Sequence, residues 1–317
     1  MPTEPFLNYN GRLSEGPTYN PSNNTLLWVD IIAGKFHRVR LPATSADNYT
    51  SQEKKQVEQS HEEFVIPDEY IGVIYLTDDD DVVYLGGKRG IAKYVLTTGE
   101  FKYKWLFPNG SKLRSNDGNV DPEGNIWQGV MGSFDYGPIE EGALLKIDTK
   151  TDEVTTVIPN VLISNGINWS HDGRTLYWTS SLDLKIYAFD YHEGEISNKR
   201  VFIDIRAVYP DVESPEPDGF TLSESGDLFT AVWSTGTVAH FNAEGTLVEK
   251  FTLPAQRISA CTFGGINMDE LFITTANLQL EDPARLGENV QDLGGSIFRI
   301  KVKGQRGLLR PKLKLSA

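Results

Sequence analysis

Short apolar segments alternate along the chain with turns rich in Asp, Asn and Gly. In one clear example, the turn at residues 20–24 precedes the apolar segment 26–30. The same arrangement recurs at five further places, which begin near residues 77, 121, 170, 223 and 266. The apolar segments have the length of β-strands, and helical periodicity is almost absent. The pattern therefore predicts an all-β protein.

The spacing of the repeats indicates the architecture. Successive copies are 43 to 56 residues apart, which is enough chain for four short strands and their turns. A β-propeller of four-stranded blades requires this arrangement. The 317 residues accommodate six blades, so we predict a six-bladed β-propeller that forms a single domain over residues 1–317.

Three segments depart from the repeat. Residues 44–63 are polar, and we predict a long excursion between strands of the first blade. Residues 78–81 are four aspartates that open directly into a strand, which favours a solvated turn over a calcium-binding loop. The basic stretch from Lys301 to Lys314 lies past the last recognisable strand, so residues from about 304 to 317 are predicted to be a frayed tail.

The charge balance narrows the class of partner. A formal net charge of −14 and a pI of about 4.8 disfavour binding to nucleic acid and to anionic membrane surfaces. Cations and small neutral ligands are compatible with this charge. The sequence shows no secretory leader and no run of roughly 18 apolar residues, so a cytoplasmic location is expected. We expect a monomer or a small homo-oligomer.

Elimination leaves carboxylates, amides and arginines as the candidate chemistry. No Gly-x-Ser-x-Gly pentapeptide is present, which argues against a serine hydrolase triad. The single cysteine, Cys261, lies in a strand-like segment and is predicted to be a buried, inert thiol. Five histidines are scattered without metal-ligand spacing, and each is predicted to lie at the surface.

Three short polar signatures provide oxygen ligands from distant parts of the chain. Glu15 stands in Glu-Gly-Pro, Asn165 in Ser-Asn-Gly and Asp218 in Pro-Asp-Gly. Taken singly, each signature is typical of an ordinary turn. If the fold brings them together, two carboxylates and one amide oxygen form a pocket that suits a hard divalent cation with open positions. That arrangement would make the protein a metal-assisted hydrolase.

A fourth signature makes a family resemblance specific. The pattern Arg-x-Asn-Asp-Gly-x-x-Asp-Pro-x-Gly-x-x-x-x-Gly begins at Arg114. It resembles the hallmark of the regucalcin/gluconolactonase family, also called the senescence marker protein family. The three other signatures match that family in the same order along the chain. Four ordered motifs make chance agreement very improbable.

The resemblance implies both the site and its reaction. It implies one divalent metal ion (Ca, Zn, Mg, Mn or Fe) at the central channel, held by Glu15, Asn165 and Asp218. The implied activity is hydrolysis of a sugar-acid lactone, a small-molecule partner, by metal-polarised attack of water. Asp218, as ligand and neighbour of that water, is the candidate general base.

Three further residues follow from the fourth signature. Arg114 and Asn116 match positions that contact the sugar's oxygens in such enzymes, and Asp117 matches a neighbouring pocket residue. Two departures change the expected pocket. Where the family often has an acidic residue, this chain reads Gly-Ser-Phe-Asp over residues 132–135, and Ser180 occupies the position of a usual aspartate. We assign no catalytic role to Ser180.

Two alternatives to a lactonase remain open from the sequence. The cation can tie blades together in a small-molecule-binding or calcium-binding propeller without catalysis. The same site can also hydrolyse aryl esters or phosphotriesters. Arg114 and Asn116 favour an enzyme, because a purely structural cation needs neither. The sugar, its ring size and the native metal are not determined by the sequence.

Overall fold

The described part of the chain forms a closed ring of six four-stranded antiparallel sheets. The computed structural model describes residues 4–315 except 46, 109–111, 137–138, 140, 287 and 289–290. Five blades take four consecutive strands each. Each inner strand contacts the inner strand of the next blade, and the last contacts the first. The predicted six-bladed propeller is confirmed.

The strands are short, and each blade begins with its inner strand. The first two complete blades contain β2 Ser14–Asn20, β3 Thr25–Asp30, β4 Lys35–Arg40, β5 Glu62–Val65, β6 Val73–Leu76, β7 Val82–Gly86, β8 Gly90–Val95 and β9 Glu100–Leu106. The next two contain β10 Leu113–Val120, β11 Ile126–Gly132, β12 Ala143–Ile147, β13 Val154–Ile158, β14 Ser164–Trp169, β15 Thr175–Ser180, β16 Lys185–His192 and β17 Glu195–Asp204. The fifth contains β18 Glu216–Leu222, β19 Leu228–Trp233, β20 Thr237–Phe241 and β21 Leu247–Thr252.

The sixth blade joins the two ends of the chain. Its strands β22 Arg257–Gly264, β23 Glu270–Ala276 and β24 Ser296–Lys301 come from the C-terminal part. The outermost strand is β1 Leu7–Asn8, which pairs antiparallel with β24. This pairing fastens the first described residues to the last blade and closes the ring.

The six turns lie at the positions that the sequence repeat predicts. Each of the six lies between the first and second strand of its blade, and the Asp78–Asp81 turn is largely exposed. The polar excursion does separate β4 from β5, but it contains helix α1 Ser51–Gln59. Thr50 caps this helix in a reciprocal capping box with Glu53. In the described ranges, the other helices are α2 Ile205–Val208 and a 3₁₀ turn at Pro283–Arg285.

None of the described helices has the length and apolar character required to span a bilayer.

Two predictions about individual side chains are wrong. His37 and His240 are buried rather than at the surface, with 1% and 4% exposure. Both lie on the third strand of a blade and stack on a buried aromatic ring, His37 on Trp28 and His240 on Phe229. The prediction for Cys261 is confirmed, since its thiol is buried and burial raises its pKa.

Residues 304–315 are not a frayed tail, whereas residues 316 and 317 of that prediction lie outside the described residues. The segment 304–315, called here the C-terminal strap, is bonded to three blades. Gly307 N–H donates to Met268 O at 2.7 Å, Leu308 N–H to Leu222 O at 2.9 Å, and Leu313 N–H to Leu76 O at 2.7 Å. The prediction failed because a strap held by single hydrogen bonds has no strand periodicity for a sequence pattern to reveal.

Four inner strands of the described structure share one irregularity. In β2, β10, β14 and β18 two consecutive residues oppose a single residue of the next strand. Such β-bulges re-aim side chains and bend the strand. The polar signatures lie at these bulges, inside strands, and not at turns before or after strands as the sequence suggested.

Glycine is the residue at Gly16, Gly166 and Gly219 in three of these bulges, where neighbouring inner strands approach closely. A Cβ atom on Gly219 would lie 2.4 Å from the Cβ of Ala260 in the next blade. A Cβ on Gly166 would lie 2.5 Å from a ring carbon of Phe220. The glycines of these signatures therefore allow neighbouring inner strands to pack closely around the channel.

Substitution at Gly219 tests this packing. Gly219→Ala is expected to lower the free energy of unfolding by about 1–3 kcal/mol, because the new methyl group overpacks the contact with Ala260. The double variant Gly219→Ala/Ala260→Gly should lose less stability than the sum of the two single variants. Denaturant midpoints for the four proteins give the answer, and additive losses would contradict the close contact.

Candidate active site

A cavity of about 330 Å³ opens at one end of the central channel. All blades start with their inner strand, so the starts of these strands meet at the same end of the ring. Glu15, Arg114, Asn165 and Asp218 lie at the second or third position of their strands. All four side chains line the cavity, together with that of Asn116. The fold thus brings together signatures that are far apart in sequence.

The bulges aim the oxygen-bearing side chains into the cavity. Asn165 and Asp218 are the first residues of their bulges, and Glu15 directly precedes the bulge of β2. Each is between 6% and 7% exposed. The three side chains are therefore almost withdrawn from water, although they line an open cavity.

A hydrogen-bond network fixes the amide of Asn165. Its Nδ2 donates to Ser181 Oγ at 3.1 Å, and Ser181 Oγ donates to Pro217 O at 2.8 Å. Its Oδ1 accepts from Asn116 Nδ2 at 3.1 Å and keeps a second lone pair. The amide is thus held by Asn116 of the preceding blade and by Ser181 of its own blade, which is bonded in turn to the residue before Asp218.

Asn116 supports its neighbours as much as it faces the cavity. Its Nδ2 donates to Ser164 O and to Asn165 Oδ1, and its Oδ1 accepts from Arg114 Nη1 at 3.0 Å. Both N–H donors are consequently in use. Toward a ligand, this side chain offers only its remaining acceptor capacity.

Arg114 lies between polar anchors and an aromatic ring. Its Nη1 donates to Ser115 O at 2.8 Å, and its Cζ lies 4.3 Å from the ring centroid of Phe134. Its Nε is buried without a hydrogen-bond partner. Burial lowers the pKa of Arg114 to about 10, so the guanidinium remains charged near neutral pH. The group is held rigidly and keeps donors for an incoming oxygen.

Asp117 is not among the residues that line the cavity. As the second residue of its bulge, it is directed differently from Asn116, which is the first. Its Oδ1 accepts from Gly118 N–H at 2.7 Å and lies 4.0 Å from Arg310 Nη2 of the C-terminal strap. Its charge nevertheless acts on both cavity carboxylates.

The negative charges of Glu15 and Asp218 are not fully compensated by nearby positive groups. Burial raises the pKa of Glu15 to about 8, with a further contribution from the charge of Asp117. Burial also raises the pKa of Asp218 well above its usual range, and the charge of Glu15 adds to this rise. The Asp218 Oδ1 atom is buried and has no hydrogen-bond partner. The site therefore favours the uptake of positive charge, either as protons or as a cation.

The donor set fits a hard divalent cation. Two carboxylates and one amide oxygen are ligands of the type that such ions prefer, and Asp218 supplies an oxygen that no protein group satisfies. No group of three or more His, Cys, Asp or Glu side chains in the described ranges is arranged to hold a metal ion. The third oxygen of the candidate set is accordingly the amide of Asn165, not a carboxylate.

Several cavity residues escaped the sequence signatures. Ser181 directly follows Ser180, which does not line the cavity, and Glu216 precedes Asp218 by two residues. Both adjoin recognised motifs, which is the signal that sequence reasoning overlooked. Other lining residues stand outside the recognised motifs and come from the third, fifth and sixth blades: Phe134, Trp233, Arg257 and Glu281.

The acidic residue expected after Met131 is turned away from the cavity. Asp135 accepts from Tyr70 Oη at 2.9 Å and lies 3.3 Å from Lys88 Nζ. Phe134 lines the cavity at that side instead. The carboxylate that flanks Asp218 is Glu216, whose Oε1 accepts from Ser214 Oγ at 2.6 Å. The cavity is therefore lined by an aromatic ring at Phe134 and by a second acidic group at Glu216.

Comparison with known proteins gives a consistent family. Residues 13–277 match the model described as the SMP-30/gluconolactonase/LRE-like region. The cell growth-regulated gene 1 protein of Candida albicans is 40% identical, over 93% of this chain and 91% of the relative. The pentonolactonase XacC of Haloferax volcanii is 31% identical, over 92% and 91%.

A solved structure agrees with the fold. The calcium-binding protein regucalcin from Agrobacterium tumefaciens superposes with a TM-score of 0.82 at 20% identity. The alignment covers 99% of this chain and 98% of that chain. At this identity, the likeness establishes a shared propeller fold.

Two adjacent serines provide a matched test of the network. Ser181→Ala removes the group that orients the Asn165 amide, so affinity for added Ca²⁺ or Mn²⁺ should fall about tenfold or more. Ser180→Ala is the control, since Ser180 is also buried but lies outside the cavity lining. Calorimetric titration of each variant measures the change. Equal affinities for the two variants would show that the orientation of Asn165 does not matter.

Proposed function

The chain belongs to the SMP-30/gluconolactonase/LRE-like family, and we propose that it hydrolyses the lactone of a sugar acid with the aid of one divalent cation. The observation that carries the proposal is the convergence of Glu15, Asn165 and Asp218 with Arg114 in one cavity. A binding propeller stabilised by a cation needs the first three groups but not the fourth. The resemblance to the Haloferax pentonolactonase supports a lactone as the substrate class.

Glu15, Asn165 and Asp218 would hold the cation. When bound, the cation supplies positive charge that polarises the lactone carbonyl and offsets the charges of the two carboxylates. Glu15 is fixed for this role because its Oε2 accepts from Gly16 N–H at 3.0 Å. Asn165 is fixed through Asn116 and Ser181. The protein thus presents oriented oxygens instead of leaving ligands to reorganise.

Asp218 is the proposed proton acceptor. Its environment raises its pKa, which makes it a stronger base than an ordinary carboxylate whenever it is ionised. A carboxylate has two oxygen atoms, so the Oδ1 atom, which no protein donor occupies, can bind the cation while the second oxygen accepts a proton from the attacking water. The same carboxylic acid can later return that proton to the alkoxide of the opening ring, so that the step leaves no net change on the enzyme.

Arg114 orients the substrate. Its Nη1 is engaged by Ser115 and Asn116, while the buried Nε lacks a partner. Negative charge that develops on a lactone oxygen near this guanidinium is stabilised more than the neutral ground state. The Phe134 ring covers the guanidinium and limits its contact with water. A buried and pre-oriented guanidinium such as that of Arg114 serves a catalytic site, whereas a purely structural metal site does not need one.

The proposal names a class of sugar lactone and a divalent metal ion rather than one sugar or one metal. Pentonolactones, hexonolactones and deoxyhexonolactones all match the family's substrate class. The apolar side of the cavity at Phe134 and the acidic side at Glu216 form two unlike walls for ligand recognition. Cytoplasmic location, a monomeric or small homo-oligomeric state and the absence of nucleic-acid and membrane partners stay predictions from the sequence.

Lactone hydrolysis is tested directly with a substrate panel. Purified protein should open a pentonolactone or hexonolactone, and exhaustive chelation should slow it about 100-fold or more because a Lewis acid contributes several kcal/mol. Re-addition of Ca²⁺, Zn²⁺, Mg²⁺ or Mn²⁺, each in turn, should restore the rate. Aryl esters and phosphotriesters are included for comparison. Full activity after chelation would refute the metal mechanism, and preference for a phosphotriester would refute the substrate class.

The two roles of Asp218 can be separated. Asp218→Asn keeps an oxygen that can bind a cation but removes the proton acceptor, so turnover should fall about 100-fold or more while affinity for the cation falls modestly. Asn165→Asp is the control, because it adds a negative charge without touching the base and should tighten cation binding. Turnover at saturating metal and calorimetric affinity are measured for both. Near-normal turnover of Asp218→Asn at saturating metal would assign Asp218 as a ligand only.

A further inference from the structure

The C-terminal strap closes the end of the channel opposite the cavity. Its partners Leu76 and Leu222 are the last residues of β6 and β18, whereas the cavity lies at the starts of the inner strands. Ser223 and Thr77, the next residues, form bridges with Gly307 and Leu313 of the strap. The strap therefore spans the channel between the fifth and second blades.

The strap is packed closely against the ring. A Cβ on Gly307 would lie 2.0 Å from the Cβ of Phe263, so the backbone contacts the sixth blade directly. Leu313 is 2% exposed within the apolar cluster shared by the second and third blades. Leu308 packs against the apolar cluster shared by the fourth and fifth blades. The position of the residues between these anchors is consequently fixed.

Arg310 lies between the anchors and extends into the channel. Its Nη2 is 4.0 Å from Asp117 Oδ1, and the two side chains are 11% and 5% exposed. Its Nε is buried without a hydrogen-bond partner. A guanidinium withdrawn from water in this way costs desolvation energy, which proteins offset by placing it near negative charge.

The negative charge that Arg310 meets belongs to the same cluster as the site. Asp117 acts electrostatically on Glu15 and on Asp218. Tyr75, on which the charge of Asp117 also acts, donates a hydrogen bond to Gln128 Oε1 at 2.8 Å, and burial raises its pKa well above its usual value. The described cations that act on Glu15 are thus Arg114 from the cavity side and Arg310 from the far side.

We propose that Arg310 is a positioning residue for the active site: held by the C-terminal strap, it offsets the charge of Asp117 and thereby sets how much negative charge the site presents to a cation. This inference rests on the proposed cation site. A strap that only plugs the channel would need an apolar residue at position 310. A guanidinium in that place instead tunes a site from the opposite end of the channel.

Charge tuning predicts changes of opposite sign for cations and anions. In Arg310→Met, the dissociation constant for Ca²⁺ should fall about threefold or more. The variant removes the repulsion between the guanidinium and the ion, which is twice as large for a divalent ion as for a monovalent one. Affinity for gluconate, an anionic product analogue, should decrease in the same variant. Arg310→Lys keeps the charge and should restore both affinities. A merely structural defect would weaken both ligands together.

The control is another arginine of the strap. Arg306 lies outside the channel, is 65% exposed and pairs with Glu224, so Arg306→Met removes the same charge without changing either affinity. The double variant Asp117→Asn/Arg310→Met removes both partners and should bind Ca²⁺ about as well as the unsubstituted chain. It also keeps the test valid if Arg310→Met alone does not fold.

The experiment uses calorimetric titration of the full chain with Ca²⁺, then Mn²⁺, then gluconate, at one fixed pH and low ionic strength. Tighter cation binding in Arg310→Met, restored by lysine, supports the inference. Unchanged or weaker cation binding in a folded Arg310→Met overturns it and leaves the proposed function intact. If the unsubstituted chain binds neither cation, the proposed metal site fails first, and the role of Arg310 fails with it.

Discussion

The two-against-one bulge in the inner strands is the constraint on which the site depends. A regular strand directs alternate side chains to opposite faces, and these faces are buried between blades in a propeller. The bulge adds one residue and turns a side chain toward the channel axis, which is how Asn165 and Asp218 reach the cavity. The glycine that follows is required because the next inner strand is so close, as at Gly219. The polar residue of the bulge thus places its side chain in the cavity, and the glycine after it permits close packing against the next inner strand.

Charge balance along the channel is the second organising feature. Glu15, Asp117 and Asp218 are buried near one another, and burial raises the pKa of each. The arginines that oppose these charges come from both ends of the channel, one from the wall of the cavity and one from the C-terminal strap. Buried charges of one sign are costly unless they are compensated, so the acidic site and the strap depend on each other.

The sequence revealed those features that repeat or that are confined to a few adjacent residues. The six turns were found because Asp, Asn and Gly recur at blade spacing, and Glu15, Asn165 and Asp218 because each stands beside a glycine in a short motif. The sequence did not reveal bulges, since Asn-Gly and Asp-Gly also form turns. Nor did it reveal the buried stacking of His37 on Trp28 or the path of the strap, because both depend on partners far away in the chain. The sequence likewise could not show that both N–H donors of Asn116 are in use, because one of them bonds to Asn165.

Closure of the ring by β1 has a consequence for how the molecule forms. Leu7 pairs with Ile297, and the cavity combines Glu15 of the first blade with Arg257 and Glu281 of the sixth. Contacts between such distant residues give the closing step a large loop entropy and a high contact order, which slow folding. During synthesis, the first residues must wait for the sixth blade to leave the ribosome before the ring can close. A shortened translation product therefore lacks a complete candidate site, however well its early blades have folded.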